Sequence, residues 1–218
     1  MSKREYFRRY LVFIISLAIA AFGVVTIIKA NMGNAPASGL TYVLTHIMPS
    51  ISLGVFTVIY NTVLIIAQIL LLRKDYQLIQ LLQLPMSFFL GGVTDLAMKV
   101  LEFLRPEIYL ARVVVLLIGC CLLAFGASLQ VRANVLMNSG EALVNAIASK
   151  TGSDFGTVKV VFDCCLVMLT VVLSLIFLRR IEGVREGTVI SAVLIGSIAK
   201  IIIPRLDRLE RWMKMKDE

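Results

Sequence analysis

The chain has 218 residues, of which 59% are hydrophobic and only 17% are charged, and its net charge is +8. Soluble domains are about 45–50% apolar and about 25% charged, so this composition excludes a soluble enzyme, a secreted disulfide-rich domain, a coiled coil and a disordered tail. The basic residues concentrate at helix ends and at the two termini, which membrane topology explains without nucleic-acid binding.

Long apolar runs dominate the chain. The first contains no charged residue from position 11 to position 28 and predicts a membrane-spanning helix. Basic residues precede the first run and follow the last, so we expect both termini in the cytoplasm and an even number of spans. The long apolar segments are 10–30, 52–72, 80–103, 109–130, 157–178 and 187–203.

Two further apolar segments, 35–48 and 138–150, are short. At 1.5 Å per residue, 14 helical residues reach about 21 Å, well below the roughly 30 Å of a bilayer core. Each segment opens with residues that start helices: Asn34 and Pro36 in the first case, Asn138 and Glu141 in the second. We therefore predict two half-helices, meaning helices too short to cross the membrane.

The two halves of the sequence resemble each other. Lys-Ala-Asn at 29–31 recurs as Arg-Ala-Asn at 132–134, and Ala-Phe-Gly at 21–23 recurs at 124–126, both displaced by 103 positions. We predict a tandem duplication of about 103 residues, in which the first apolar run has a counterpart and stays in the mature protein. The proposed segments are repeat one at about 8–105, repeat two at about 108–204, and a basic cytoplasmic tail at 205–218.

Each repeat then holds three spans and one half-helix. The predicted fold is all-α: a single polytopic transmembrane helical bundle over residues 1–218, with six spans and two inverted repeats. Inverted repeats of this kind are a common transporter construction. If the short segments crossed fully, there would be eight spans and parallel repeats; segment length favours six.

No enzyme motif is present. The single histidine, His46, excludes a two-histidine metal site, and the sequence has neither a P-loop nor a GxSxG motif. The four cysteines form two adjacent pairs, at 120–121 and 164–165, without the spacing of metal ligands. We expect no catalytic residue, no metal and no cofactor.

Polar residues inside apolar helices are costly and usually face a cavity or a partner helix. Lys159 and Asp163 lie four apart on one helix face, which also allows a simple intrahelical ion pair. For Asp95 and Lys200, the alternative to facing a cavity is that their side chains extend toward the headgroup region. The candidates for a substrate or ion pathway are Asn34, Pro36, Asn61, Asp95, Asn138, Glu141, Lys159, Asp163 and Lys200.

In an inverted repeat, the half-helices enter from opposite faces and their N-termini approach a shared cavity. Helix N-termini favour anions. Glu141 argues against an anion, because it already supplies a negative charge there; it favours a cation, a coupling proton or a zwitterion.

The tail alternates Leu206, Leu209, Trp212 and Met213 with basic residues. This pattern predicts a short amphipathic helix on an anionic inner leaflet, or else a solvated helical end.

Several short motifs together resemble the YczE/YyaS/YitT-like bacterial membrane proteins over residues 8–203. The resemblance implies a polytopic protein of the bacterial plasma membrane and suggests transport, but it supplies no substrate. Ala37 departs from the pattern, because a tryptophan often follows the first proline. The matching motifs are Gly33-x-Ala35-Pro36, Gly54, Leu81-Leu82-Gln83-Leu84-Pro85, Gly91-Gly92-x-x-Asp95-Leu96, Asn138-x-Gly140-Glu141, Lys159-x-x-x-Asp163 and Glu182-Gly183-Val184-Arg185-Glu186-Gly187-Thr188.

These observations favour a small secondary transporter or facilitator of a small polar solute. Two alternatives stay open: a substrate-capture subunit of a larger ATP-driven transporter, and a membrane accessory or scaffold protein without transport. The expected partners are the lipid bilayer and the solute; a homo-oligomer or a membrane partner protein is left open.

Overall fold

A computed structural model of the chain describes residues 3–153 and 155–214. Two 3-10 segments, Arg73–Asp75 and Leu78–Leu82, connect α3 to α4, and a π-helix, Ser174–Leu178, extends α7. The α-helices are α1 (Lys3–Lys29), α2 (Pro36–Ile47), α3 (Leu53–Leu72), α4 (Gln83–Val100), α5 (Tyr109–Ala133), α6 (Ser139–Thr151), α7 (Phe155–Leu173), α8 (Glu186–Arg205) and α9 (Asp207–Lys214).

Among the described residues, six helices are long and apolar enough to cross a membrane: α1, α3, α4, α5, α7 and α8. The predicted all-α fold with six spans is thereby confirmed. The protein is a multi-pass integral membrane protein. Continuous helices follow from the sequence because an apolar bilayer leaves every backbone N–H and C=O to be satisfied within its own segment.

The half-helices α2 and α6 have 12 and 13 residues, about 18–20 Å at 1.5 Å per residue. Pro36 occupies the first turn of α2. The Asn138 side chain accepts a hydrogen bond from the Ser139 N–H at 3.1 Å and caps α6. The predicted short segments are therefore confirmed, as are the positions of Pro36, Asn138 and Glu141 at their starts. The predicted cap Asn34 is wrong: Ala35 is the N-cap of α2, and no described side chain caps that helix.

Helix α1 is the central helix of the bundle. In its most apolar window 61% of the residues are buried, against 17% in α7 and α8. It packs against α5 with almost no space between the backbones: a Cβ on Gly23 would lie 2.5 Å from the Leu123 nitrogen, and one on Gly126 would lie 2.8 Å from the Ala20 nitrogen. Only glycine fits at either position.

The contacts between α1 and α5 also give their relative direction. Ala20 lies beside Gly126, whereas Ile27, seven residues later, lies beside Gly119, seven residues earlier. The two helices are therefore antiparallel. They are counterparts in the predicted duplication, so this direction is the one that six spans and inverted repeats require. Eight spans with parallel repeats would make them parallel.

Other features favour the duplication without testing it. The helices follow the same order of lengths twice along the chain: one long helix, one short helix and two long helices. Asn31 and Asn134, 103 positions apart, both have positive φ, 53° and 47°, directly after a span. The duplication itself stays a prediction.

The start of α1 and the helix α9 meet at one face of the bundle. The Arg8 Nη1 donates to the Trp212 carbonyl at 3.1 Å, and the Arg8 guanidinium lies 5.2 Å from the centre of the Trp212 ring. An even number of crossings follows from this placement. The tail helix α9 is docked on the bundle rather than solvated, with Met213 fully buried.

Acidic residues, not basic ones, dock the tail. Arg132, at the end of α5, binds the carboxylates of Asp207 and Glu210 and donates from Nε to the Ile203 carbonyl at 2.9 Å. The predicted basic tail thus presents an acidic side to the bundle, whereas Arg208 and Arg211 are exposed. Residues 215–218 of the tail lie outside the described residues.

Candidate functional site

The half-helices lie between α3 and α7, since α2 and α6 each pack against both spans. They enter from opposite faces, because α2 follows α1, α6 follows α5, and α1 and α5 are antiparallel. The start of α6 is its deeper end. The carbonyl of Ser139 accepts a hydrogen bond from Gln68 within α3, whereas Lys150 at the far end of α6 binds Asp75 beyond the end of α3.

Four side chains from α3, α6 and α7 form the α6 cluster: Tyr60, Glu141, Lys159 and Asp163. Within it, the Lys159 Nζ donates to the Asp163 Oδ1 at 2.6 Å, one turn further along α7. The two side chains are 37% and 30% exposed. The intrahelical ion pair that the spacing allowed is therefore present, and it is open on one side.

Glu141 lies in the first turn of α6 and is exposed. The charges of Lys159 and Asp163 both act on its carboxyl. The charge of Asp163 also acts on the Tyr60 hydroxyl. That hydroxyl is buried and has no hydrogen-bond partner among the described residues. The structure thus brings together three of the predicted pathway residues and adds Tyr60, which the sequence analysis missed because a tyrosine inside an apolar run is usually a packing residue.

A narrow cavity of about 20 Å³ lies at the N-terminus of α6, which is room for one water molecule. The predicted residues Asn61 and Asn138 both line it. Asn61 is only 5% exposed, and within the described parts of the chain its side chain makes no hydrogen bond. Polar neighbours in the cavity wall are Gln83, Ser87 and Ser139.

Asn34 and Pro36 occupy a different place. The Asn34 N–H donates to the Gly183 carbonyl at 2.9 Å, and the Gly187 N–H donates to the Met32 carbonyl at 2.7 Å. These bonds hold the start of α2 against the loop before α8, whose Gly183 has φ of 76°. The N-terminal end of α2 is therefore covered by backbone. The cavity and the charged side chains lie instead at the N-terminal end of α6.

Asp95 and Lys200 also lie apart from the α6 cluster. Both carboxylate oxygens of Asp95 are engaged: Oδ2 accepts from the Ser52 Oγ at 2.5 Å, and Oδ1 accepts from the Gly54 N–H at 2.7 Å. Asp95 thus ties α4 to the first turn of α3. Lys200 is exposed near the end of α8. A pathway role for either residue stays a prediction.

We expect Asp95→Asn to lower the free energy of unfolding by about 2 kcal/mol, because bonds to a charged acceptor contribute about 1.5–3 kcal/mol each and one of the two is lost. Chemical denaturation in detergent measures the change. Asp75→Asn is the control, since its pair with Lys150 is exposed and such pairs contribute at most about 1 kcal/mol. Equal stability of the two variants would contradict the assigned role of Asp95.

The chain was compared with known proteins. The model of a family described as "Family of unknown function (DUF6198)" matches residues 7–204. No curated protein and no solved structure matches the chain. The matched range includes α2 to α7 entirely and all but the first four residues of α1 and the last residue of α8, and it ends before α9. The resemblance to YczE/YyaS/YitT-like proteins stays a prediction.

Proposed function

We propose that this chain, which belongs to the family of unknown function DUF6198, is a small secondary transporter or facilitator of a polar solute. The proposed location is the bacterial plasma membrane, with both termini in the cytoplasm. The joint placement of the termini at one face and the basic residues near them support that orientation.

The observation that carries the proposal is the α6 cluster, where the Lys159–Asp163 ion pair of α7 lies close enough to Glu141, at the start of a half-helix, for both charges to act on its carboxyl. Asp163 lies eight residues into α7, about 12 Å along its axis. Charged groups at such depth are expensive unless they face a partner or water, and they mark solute and ion pathways. Interrupted helices near the middle of the membrane are typical of transporters.

The accessibility of the cluster supports the same function. Glu141 is exposed, and Lys159 and Asp163 remain about a third exposed despite their pairing. An ionised group open to lipid tails would cost several kcal/mol. We infer that the cluster faces a water-filled cleft beside α6 and α7, through which a solute reaches it.

Solute counterflow into proteoliposomes tests the proposal. Amines, organic anions, amino acids and inorganic ions are supplied as a labelled panel, after a thermal-unfolding screen in detergent has selected the classes that stabilise the protein. We expect uptake of one class, and we expect Glu141→Gln and Asp163→Asn to abolish it. Glu107→Gln, at an exposed loop carboxylate, is the matched control and retains uptake.

Two results would contradict the proposal. One is uptake that survives both neutralising substitutions in folded protein. The other is the absence of protein-dependent uptake across the whole panel, in which case an accessory role in a membrane complex replaces transport.

A further inference from the structure

The α6 cluster already holds an ammonium group, that of Lys159. Its Nζ donates to the Asp163 carboxylate at 2.6 Å and lies 5.9 Å from the centre of the Phe162 ring. A carboxylate and an aromatic ring are the two groups that recognise an ammonium ion, through a charge-assisted hydrogen bond and a cation–π contact. The chemistry around Nζ is therefore that of an amine-binding site.

The charges of the cluster do not balance. Glu141 and Asp163 supply two negative charges and Lys159 supplies one positive charge, so one negative charge remains when all three are ionised. Lys150, the one basic residue of α6, lies at its far end and binds Asp75. In that ionised state the cluster attracts one further positive charge.

Two neighbouring polar residues of α3, Tyr60 and Asn61, have no side-chain partner among the described residues. The Tyr60 hydroxyl is buried and makes no hydrogen bond with any described residue, and Asp163 acts on it. The next residue, Asn61, is 5% exposed, lines the cavity at the N-terminus of α6 and has no side-chain partner in the described part of the chain. An unpaired buried polar group costs about 1–3 kcal/mol, so the Tyr60 hydroxyl favours a polar ligand beside Asp163, whereas Asn61 faces a separate cavity that the ion pair does not line.

We propose that the α6 cluster binds a solute carrying a primary ammonium group, and that the Lys159 side chain occupies the place of this group while the solute is absent. The solute displaces the Lys159 Nζ from Asp163 and adds the missing positive charge opposite Glu141. The inference rests on the proposed function in that the bound amine is the transported solute.

Thermal unfolding of the full-length protein in detergent, at fixed pH and ionic strength, tests the proposal with ethylammonium chloride as the probe. Sodium chloride and sodium acetate are the reference salts. We expect ethylammonium to raise the unfolding midpoint of the wild type and of Glu107→Gln, and to leave Asp163→Asn unchanged. The reference salts produce no such rise.

The decisive variant is Lys159→Met, which removes the tethered competitor. We expect it to reach half of its maximal shift at a roughly tenfold lower ethylammonium concentration than the wild type. A purely structural ion pair instead predicts no ethylammonium-specific shift of the wild type, since Lys159 then keeps Asp163 occupied. Lys159→Gln gives a second measurement should the methionine variant fail to fold.

The proposal is overturned if ethylammonium and sodium shift the wild type equally, if ethylammonium has no effect on the wild type, or if both Lys159 variants need as much ethylammonium as the wild type. The amine-binding inference and the proposed transport function can fail separately. Asp163-dependent uptake of a solute without an amine would overturn the inference alone, whereas ethylammonium binding without uptake of any panel solute would overturn transport alone.

Discussion

Replacing Gly91 by alanine destabilises the protein strongly, whereas the same replacement at the neighbouring Gly92 does not. A Cβ at Gly91 would lie 2.6 Å from the Gly54 carbonyl oxygen and 2.7 Å from the Val58 Cγ2, both on α3. Because the first of these atoms is backbone, α3 and α4 must move apart. We expect a loss of about 3 kcal/mol, the upper end of the usual cost of overpacking.

Gly92 is a matched control on the same helix, since no atom lies within 4 Å of the Cβ that alanine would add. Its replacement leaves stability unchanged or slightly raises it, because alanine favours helix more than glycine does. Denaturation of both variants in one detergent measures the difference. Similar midpoints for Gly91→Ala and Gly92→Ala would show that α3 and α4 do not touch at this crossing.

Replacing Arg132 by glutamine releases α9 from the bundle. The substitution removes the two ion pairs to Asp207 and Glu210, and Arg132 is only 20% exposed, so the pairs are screened less than surface pairs. Trp212, the one tryptophan of the sequence, reports the change directly. We expect stronger acrylamide quenching of its fluorescence and faster trypsin cleavage after Arg208 and Arg211.

Arg105→Gln is the control for this experiment. Its partner Glu102 is 3.5 Å away, and the side chains are 77% and 70% exposed, so the pair contributes at most about 1 kcal/mol. Neither quenching nor cleavage changes in this variant. If Arg132→Gln also leaves both unchanged, apolar contacts such as that of Met213 hold α9 without the ion pairs.

Most helix ends of this fold were predictable to within about five residues, whereas α1 begins at Lys3, seven residues before the predicted start at position 10. The segment predicted at 52–72 is helical over Leu53–Leu72, and the one predicted at 138–150 is helical over Ser139–Thr151. The reason is physical: bilayer thickness sets the length of a span, and the absence of water enforces continuous helix within it. Local residue patterns therefore contain most of the information about these elements.

The candidate site was only partly predictable. The spacing of Lys159 and Asp163 is a local property, and their ion pair followed from it. The approach of Tyr60 and Glu141 depends on how α3 and α6 pack against α7, which no spacing within one helix reveals. Asp95 illustrates the same limit, because its partners Ser52 and Gly54 lie 43 and 41 positions away.

The tail shows what net charge alone does not reveal. Its excess of basic residues predicted contact with an anionic leaflet, yet Asp207 and Glu210 make the contacts that position α9. Their partner, Arg132, ends a span far earlier in the sequence. Only the packed bundle brings the three together.

The crossing of α1 and α5 also has a consequence for biogenesis. Eighty positions separate Lys29, the last residue of α1, from Tyr109, the first of α5. During synthesis α1 therefore enters the membrane long before its main partner leaves the ribosome, and the face around Gly23 stays against lipid or the insertion machinery in the meantime. The N-terminal half therefore cannot complete its packing before α5 has been inserted.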